Sequence, residues 1–165
     1  MSMLIHRYFI LNKAMGMESQ FVSNYPATLL GEVNFDFPEG IHAIGRLDKN
    51  SEGLLLLTTN KRITALLFQS RLPHSRTYLV QVRNVLSEEN LERLKKGVTI
   101  RIKGGDYYLT PDCDVRVVDR PSNLFARQFP YTEYGASTWL RITLTEGKYH
   151  QIRKMVSAVG HRCLR

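Results

Sequence analysis

The sequence predicts an α+β fold, with a mixed, largely antiparallel sheet and a few flanking helices. Six segments rich in Ile, Leu, Val, Thr and Tyr have the composition of short strands, whereas only three have the spacing of helices. The long alternation of strands and helices that builds parallel sheets is missing. The 165 residues and the apolar content of 43% fit a single domain over residues 1–165, or one domain with two lobes.

The predicted strands combine β-forming residues with flanking turns. In the last of them, Leu140, Ile142 and Leu144 alternate along the chain and therefore share one face. A turn at Lys103–Asp106 predicts a hairpin between the fourth strand and the segment Tyr107–Thr110. The six strands are predicted at Arg7–Leu11, Gly53–Thr59, Thr77–Arg83, Val98–Ile102, Val115–Asp119 and Thr138–Thr145.

The predicted helices are marked by capping residues or by apolar spacing. Ser87 is a candidate N-cap, since two acids follow it and Gly97 stands just beyond the last turn. In the third helix Ile152, Met155 and Val159 recur at the i, i+3, i+7 spacing of an amphipathic helix. The helices are predicted from Asn60 to Ser70, from Ser87 to Lys96, and from about Lys148 to Val159.

The charge of the chain is strongly basic and uneven. The formal net charge is +8 and the pI is about 9.7, which favours a polyanionic partner, more often nucleic acid than an anionic membrane. Residues 1–60 hold 4 Lys or Arg against 6 Asp or Glu, whereas residues 61–165 hold 19 against 9. Charge alone does not separate an enzyme that acts on RNA from an RNA-binding module.

Several classes of site are excluded by what the sequence lacks. Cys113 and Cys163 form no CxxC pair, which argues against a zinc site or a disulfide framework and fits a reducing cytoplasm. No G-x-x-x-x-G-K-[ST] phosphate loop occurs. Apolar runs such as Leu54–Leu57 are too short to span a bilayer, and no signal peptide is evident. The sequence therefore predicts no metal, no cofactor and no membrane partner.

Asp48 is the first candidate for chemistry. It stands in the polar part of Gly45–Thr58, directly before an apolar strand, so that a rigid core element would hold its carboxylate on a loop. This placement suits a catalytic carboxylate. The alternative is a turn residue that caps local backbone amides, because Asp is favoured in turns.

Arg153 and Tyr78 are further candidates, each with a structural alternative. Arg153 lies about 100° from Ile152 around the third helix, where its guanidinium either pairs with a carboxylate or belongs to a solvated basic rim. Tyr78 lies on an alternating strand, and its ring either packs in the core or stacks on a base.

The segment Arg120–Ser137 lacks periodicity and is predicted to be a long surface loop. Its aromatic residues, with one base among them, either stack on RNA or anchor the loop to the body of the protein. These residues are Phe125, Arg127, Phe129, Tyr131 and Tyr134.

Three motifs follow one another along the chain. Phe9–Lys13 contains L-N-K, Gly45–Leu55 reads G-R-L-D-x-x-S-x-G-L-L, and Glu146–Met155 reads E-G-x-x-x-Q-I-R-x-M. Together with Thr77–Val82 and Gly160–Arg162, they resemble the motifs of the RsuA/RluB/RluE/RluF family of pseudouridine synthases. The resemblance spans nearly the whole chain and implies the catalytic fold of that family.

Other features resemble one branch of the family or depart from it. The chain starts almost at the first motif, without the S4 domain of many relatives, and carries Gln20-Phe21, both of which resemble the RluE-type branch. The family continues past Arg165, so the C-terminal tail is expected to be truncated. Ala14 stands in place of a usual proline. Lys148-Tyr149-His150 replaces a basic-Asn-basic run, so local RNA contacts are expected to differ.

The resemblance also implies roles for individual residues. Asp48 is the expected catalytic aspartate, Tyr78 is expected to stack on the uracil and assist in deprotonating C5, and Arg153 is expected to pair with the aspartate. Arg46 matches the motif arginine that contacts RNA near the vacated position of the base. The expected RNA-binding residues are Arg46, Lys49, Arg76 and Lys154.

The implied function is isomerisation of a specific uridine to pseudouridine in ribosomal RNA, with the large subunit favoured by the RluE-like layout. A cytoplasmic monomer without a cofactor is expected, and the target base is flipped into a cleft between the lobes. Two alternatives remain open: a non-catalytic RNA-binding or ribosome-assembly factor on the same scaffold, and a pseudouridine synthase that acts on tRNA.

Overall fold

The computed structural model describes residues 5–68, 74–126 and 135–165 of the chain. These residues form two compact units. The first unit holds the described residues up to 68 together with Ala126, and the second holds residues 74–125 and 135–165. No helix in these described ranges is both long and apolar enough to cross a membrane.

The first unit is built on a three-stranded antiparallel sheet with the order β1-β3-β2. Leu55 and Leu57 alternate on one face of β3 and are buried with Met17 and Leu30, since one side of the sheet packs on a small core. Four phenylalanines, at positions 9, 21, 35 and 37, meet mostly edge to face beside it. The elements are β1 (Tyr8–Lys13), a 3-10 helix (Leu30–Glu32), β2 (His42–Ile44), β3 (Gly53–Thr58) and α1 (Arg62–Phe68).

The second unit contains a larger core between a sheet and two helices. Its three-stranded antiparallel sheet has the order β4-β8-β7, and β5 and β6 form a separate hairpin. The predicted face of β8 is confirmed, because Leu140, Ile142 and Leu144 are all buried in this core. The elements are β4 (Arg76–Arg83), α2 (Glu88–Lys96), β5 (Thr99–Arg101), β6 (Tyr107–Leu109), β7 (Asp114–Val118), β8 (Ser137–Leu144) and α3 (Gln151–Ala158).

The segment that follows α3 lies along β4. The amide of Gln81 donates to the carbonyl of Arg165 at 2.9 Å, and its carbonyl accepts from the amide of Leu164 at 2.7 Å. The amide of Arg83 donates to the carbonyl of Arg162 at 2.9 Å. Val82 and Cys163 form an antiparallel bridge between these bonds. The segment therefore extends the pairing of the β4-β8-β7 sheet.

The structure confirms the α+β class and all six predicted strands, with ends shifted by one or two residues. The hairpin at Lys103–Asp106 and the N-cap at Ser87 are confirmed as well, since the Ser87 hydroxyl accepts from the amide of Asn90 at 3.3 Å. The sequence prediction missed β2, because three residues carry too little alternation to be recognised.

The strands of the described ranges form three sheets, and every pairing between named strands is antiparallel, which agrees with the predicted, largely antiparallel character. One expectation is corrected. The third helix begins at Gln151 rather than near Lys148, because His150 has a left-handed backbone with a φ of 54°. In α1 Leu66 is 62% exposed, and Ser70, the predicted end of this helix, lies outside the described residues.

Residues 120–126 and 135–137 of the predicted surface loop are described. Phe125 is exposed rather than packed against the body of the protein. The loop residues predicted either to stack on RNA or to anchor the loop, namely Arg127, Phe129, Tyr131 and Tyr134, lie outside the described residues.

Candidate active site

Asp48 lies in the first unit, on the turn that joins β2 to β3. Both ends of this turn are glycines with positive φ, 76° at Gly45 and 112° at Gly53, a conformation that side chains rarely adopt. Within the turn, the amide of Ser51 donates to the carbonyl of Asp48 at 2.9 Å. Asp48 is half-buried, and its turn leads into β3, in which Leu55 and Leu57 are buried.

The backbone on either side of Asp48 is fixed by residues from the start of the chain. The Ser19 hydroxyl donates to the carbonyl of Leu47 at 2.8 Å and accepts from the amide of Leu47 at 3.0 Å. The amide of Gly16 donates to the carbonyl of Lys49 at 2.8 Å. Both neighbours of Asp48 are therefore tied to the segment after β1.

Lys13 completes this arrangement from inside the unit. Its side chain is fully buried, and its ammonium donates to the carbonyls of Ala14 and Met17, each at 2.8 Å, and of Lys49 at 3.4 Å. Burial lowers the pKa of Lys13, whereas the nearby carboxylates of Glu18, Asp48 and Glu52 oppose that shift. The lysine of the L-N-K motif is thus a buried donor beneath the Asp48 turn.

The predicted RNA contacts of this unit flank Asp48. Arg46 and Lys49 are both exposed, one on each side of the half-buried carboxylate in the same turn. The turn therefore offers two solvated cations and one carboxylate within four residues of chain. Among the described residues, no group of three or more His, Cys, Asp or Glu is arranged to hold a metal ion.

Tyr78 lies in the second unit, on the face of β4 that it shares with Val80 and Val82. It is half-buried and packs against the core cluster, which agrees with the packing alternative for this ring and leaves part of it accessible. Arg76 lies two residues earlier on the same face. It comes close to Gly147, where a Cβ would stand 3.5 Å from the Arg76 guanidinium.

Arg153 and Lys154 lie on α3, which is anchored by the buried Met155 and Val156. Arg153 is half-buried beside this apolar stripe, in the position that the helical spacing predicts. Lys154 places its ammonium 5.3 Å from the centroid of the Tyr149 ring. Both cations therefore stand on a helix whose orientation is fixed by core packing.

A polar network fixes the start of α3. Glu146 accepts hydrogen bonds at both carboxylate oxygens, from the Gln151 side-chain amide and from the Tyr108 hydroxyl, each at 2.6 Å. The Gln151 side-chain oxygen accepts in turn from the amide of Lys148 at 2.8 Å. The hydrogen bond to Glu146 raises the pKa of Tyr108. This network explains why Glu and Gln are spaced five residues apart in the third motif.

The candidate residues fall into two groups. Arg46, Asp48 and Lys49 share one turn of the first unit, whereas the other four stand on β4 and α3 of the second unit. Their expected roles, including an ion pair between Asp48 and Arg153, stay predictions.

The sequence reasoning missed the residues that support both groups. Ser19 and Tyr108 carry no local signal, because their partners Leu47 and Glu146 are 28 and 38 residues away. Lys13 does carry a local signal in the sequence, because a lysine at the end of an apolar strand is unusual.

Comparison with known proteins gives the chain a family context. A family described as RNA pseudouridylate synthase matches residues 7–158. The chain is 36% identical over 160 residues to the ribosomal large subunit pseudouridine synthase E of Xanthomonas axonopodis pv. citri, covering 94% of this chain and 80% of that protein. It is 34% identical over 161 residues to the protein of the same name from Vibrio parahaemolyticus, covering 96% and 64% respectively. These matches confirm the resemblance seen in the motifs.

A solved structure supports the same relationship. It is described as the crystal structure of a pseudouridylate synthase, and it aligns with a TM-score of 0.75 and 25% identity. The alignment covers 97% of this chain and 60% of the solved one, which confirms the fold. The chain thus spans less than two thirds of the solved protein and of the Vibrio relative.

Proposed function

Because the chain belongs to the RNA pseudouridylate synthase family, we propose that it converts a specific uridine of large-subunit ribosomal RNA to pseudouridine. The observation that carries this proposal is the family match over residues 7–158, which takes in all three motifs. The names of the two bacterial relatives support ribosomal RNA as the substrate and the large subunit as its source. We place the reaction in the cytoplasm and assign it to a monomer.

The isomerisation of uridine can be catalysed by a carboxylate. The bond between N1 and C1′ of uridine breaks, the uracil turns, and C5 forms the new bond to C1′. C5 loses one proton and N1 gains one, so the composition is unchanged and no electrons are transferred. Asp48 is the proposed catalyst, either as a nucleophile at C6 or C1′ or by supporting formation of a glycal.

The closed turn around Asp48 supports this role. A catalytic carboxylate must stay within a few tenths of an ångström of its working position, and loops achieve this only when other contacts hold them. Leu47 and Lys49, the two neighbours of Asp48, are both held by hydrogen bonds from the segment after β1. The turn is therefore preorganised before RNA arrives.

The second unit supplies the proposed contacts to the base and to the carboxylate. A uridine within folded RNA must leave its stack to reach an enzyme, and Tyr78 offers a partly accessible ring for the flipped uracil. Arg153 is proposed to pair with Asp48 and so keep the carboxylate ionised. Arg46, Lys49, Arg76 and Lys154 are proposed to contact the RNA, which fits the positive charge of the chain.

The decisive experiment maps pseudouridine in the RNA of a deletion strain that carries wild type, Asp48→Asn or Asp36→Asn. Asp36 is an exposed carboxylate of the same unit and serves as the matched control. We expect one large-subunit site to be lost in the deletion strain and restored by wild type and Asp36→Asn only. Restoration by Asp48→Asn would exclude Asp48 as the catalyst. If the pseudouridine lost in the deletion strain lies in tRNA, the substrate is tRNA. If no pseudouridine is lost, the result favours a non-catalytic RNA-binding factor.

Arg153 is tested by separating turnover from binding. We expect Arg153→Ala to lower single-turnover pseudouridine formation much more than it lowers RNA affinity, because its proposed partner is Asp48. Equal losses of rate and affinity would instead make Arg153 a phosphate contact.

A further inference from the structure

An open groove of about 380 Å³ lies between β5 and α3 of the second unit. Arg101 lines it from the strand, and Arg153 and Lys154 line it from the helix, together with His150 and Ser157. Among the described residues that line it, none carries a carboxylate. Arg153 is the proposed partner of Asp48, which leaves Arg101 and Lys154 for a ligand. A concave surface with these two permanent cations has the electrostatics of a site for phosphate groups.

An aromatic pair adjoins this groove, since His150 lines it and stacks on Tyr149. The rings of Tyr149 and His150 are stacked, with centroids 3.9 Å apart and an angle of 19° between their planes. Tyr149 remains 66% exposed, although Lys154 also approaches its ring. Exposed aromatic rings beside a basic groove are typical of proteins that bind single-stranded nucleic acid, since any base can stack on such a ring.

The backbone at His150 strengthens this interpretation. Its φ of 54° is in the left-handed region, which non-glycine residues seldom adopt and which persists where the surroundings enforce it. The Glu146–Gln151 network holds the chain on both sides of His150. This fixed geometry presents the Tyr149 and His150 rings at the start of α3, so the platform is preformed.

We infer that this groove binds a single-stranded segment of the substrate RNA, with phosphates on Arg101 and Lys154 and one base stacked on Tyr149. The inference rests on the proposed function for the identity of the nucleic acid. It also assigns a role to the Lys148-Tyr149-His150 departure, because the tyrosine provides a ring where the family usually has asparagine. An anionic membrane fits poorly, since the cations line a concave surface.

Arg101 provides the electrostatic test. The probe is a fluorescein-labelled oligouridylate of about 12 nucleotides, and its affinity for the full chain is measured over a salt series. Arg116→Gln is the control, because Arg116 is also an exposed strand arginine but lies outside the groove. We expect Arg101→Gln to weaken binding about fivefold near 0.1 M salt and to reduce the slope of log K against log salt by about 0.7. An unchanged slope, or equal effects of both variants, would overturn the phosphate contact.

Tyr149 provides the stacking test. We expect Tyr149→Ala to weaken binding of the oligouridylate about tenfold, whereas Tyr149→Phe keeps the ring and binds like wild type. Fluorescence of Trp139, the single tryptophan and a buried residue of this unit, reports whether each variant is folded. Wild-type affinity of a folded Tyr149→Ala would exclude the platform.

Different results would contradict the groove inference and the proposed function. If wild type forms pseudouridine while folded Arg101→Gln and Tyr149→Ala bind the probe normally, the groove inference is wrong and the function stands. If wild type forms no pseudouridine in any RNA but both variants lose affinity for the probe, the groove is an RNA site and the function is wrong.

Discussion

The two units hold their candidate residues by different means. In the first unit, Asp48 lies on a turn, and hydrogen bonds from Lys13, Gly16 and Ser19 hold the residues on either side of it. The core cluster of this unit has only four buried apolar residues. In the second, Tyr78 and Arg153 stand on a strand and a helix packed on a cluster of fourteen. Polar contacts therefore position the loop residue, and apolar packing positions the residues on regular elements.

Met155→Ala is the strongest test of the claim that apolar packing positions the residues of the second unit. Met155 is fully buried on α3, and truncating such a side chain leaves a cavity, so we expect the free energy of unfolding to fall by about 2–5 kcal/mol. Urea titration followed by Trp139 fluorescence measures the loss. Val85→Ala removes apolar atoms from a residue that is 73% exposed, and an equal loss there would contradict the argument.

The contribution of polar contacts is tested by Lys13→Met, which keeps an unbranched side chain of nearly the same length but removes its hydrogen-bond donors. Three backbone carbonyls lose a buried partner, so we expect a loss of about 2–3 kcal/mol and faster hydrogen exchange in residues 14–19 and 46–51. Normal exchange in both segments would show that Lys13 does not support the turn.

The stability difference between wild type and Lys13→Met is expected to depend on pH. The folded state lowers the pKa of Lys13 below the usual 10.5, so the unfolded chain binds this proton more tightly. Wild-type stability gains from this residue as pH rises toward 10.5 and loses that gain as pH falls. The stability difference between wild type and Lys13→Met should therefore be larger at about pH 9.5 than at about pH 7. A difference that shrinks with pH would contradict the assignment.

A smaller effect is expected from Ser19→Ala. The hydroxyl both donates to and accepts from Leu47, so its removal should cost about 1–2 kcal/mol and should lower pseudouridine formation by loosening the Asp48 turn. Ser23→Ala is the control, because the Ser23 hydroxyl bonds only the exposed amide of Tyr25 among the contacts described. Activity that stays at the wild-type level would separate the turn from catalysis.

The smallest effect is expected at the exposed ion pair of Lys95 and Glu92 on α2. Its atoms are 2.6 Å apart, and hydrogen bonding to Lys95 lowers the pKa of Glu92, yet both side chains are solvated. Water and salt screen such pairs, so Lys95→Ala should leave the urea midpoint unchanged within error. A clear shift would mean that surface charge contributes as much as the buried contacts.

These differences also explain what could be predicted from the sequence. Strands and helices were predicted from local patterns. Two of the motifs and the segment Thr77–Val82 indicated Asp48, Arg153 and Tyr78 as candidates, together with the elements that carry them. The contacts of Ser19 with Leu47 and of Tyr108 with Glu146 join distant residues, and a short polar side chain looks the same in sequence whether buried or exposed. The left-handed backbone of His150, where α3 is preceded by a turn, has no signal in the sequence pattern either.

The pairing of residues 162–165 with β4 has a consequence for the behaviour of the protein in concentrated solution. An open strand edge carries unpaired amide and carbonyl groups, and another chain can add to it and start an aggregate. In the part of the chain that the structure describes, this segment already occupies the Gln81 and Arg83 positions of β4. The strand that carries Tyr78 is thereby shielded from edge-to-edge association along that stretch.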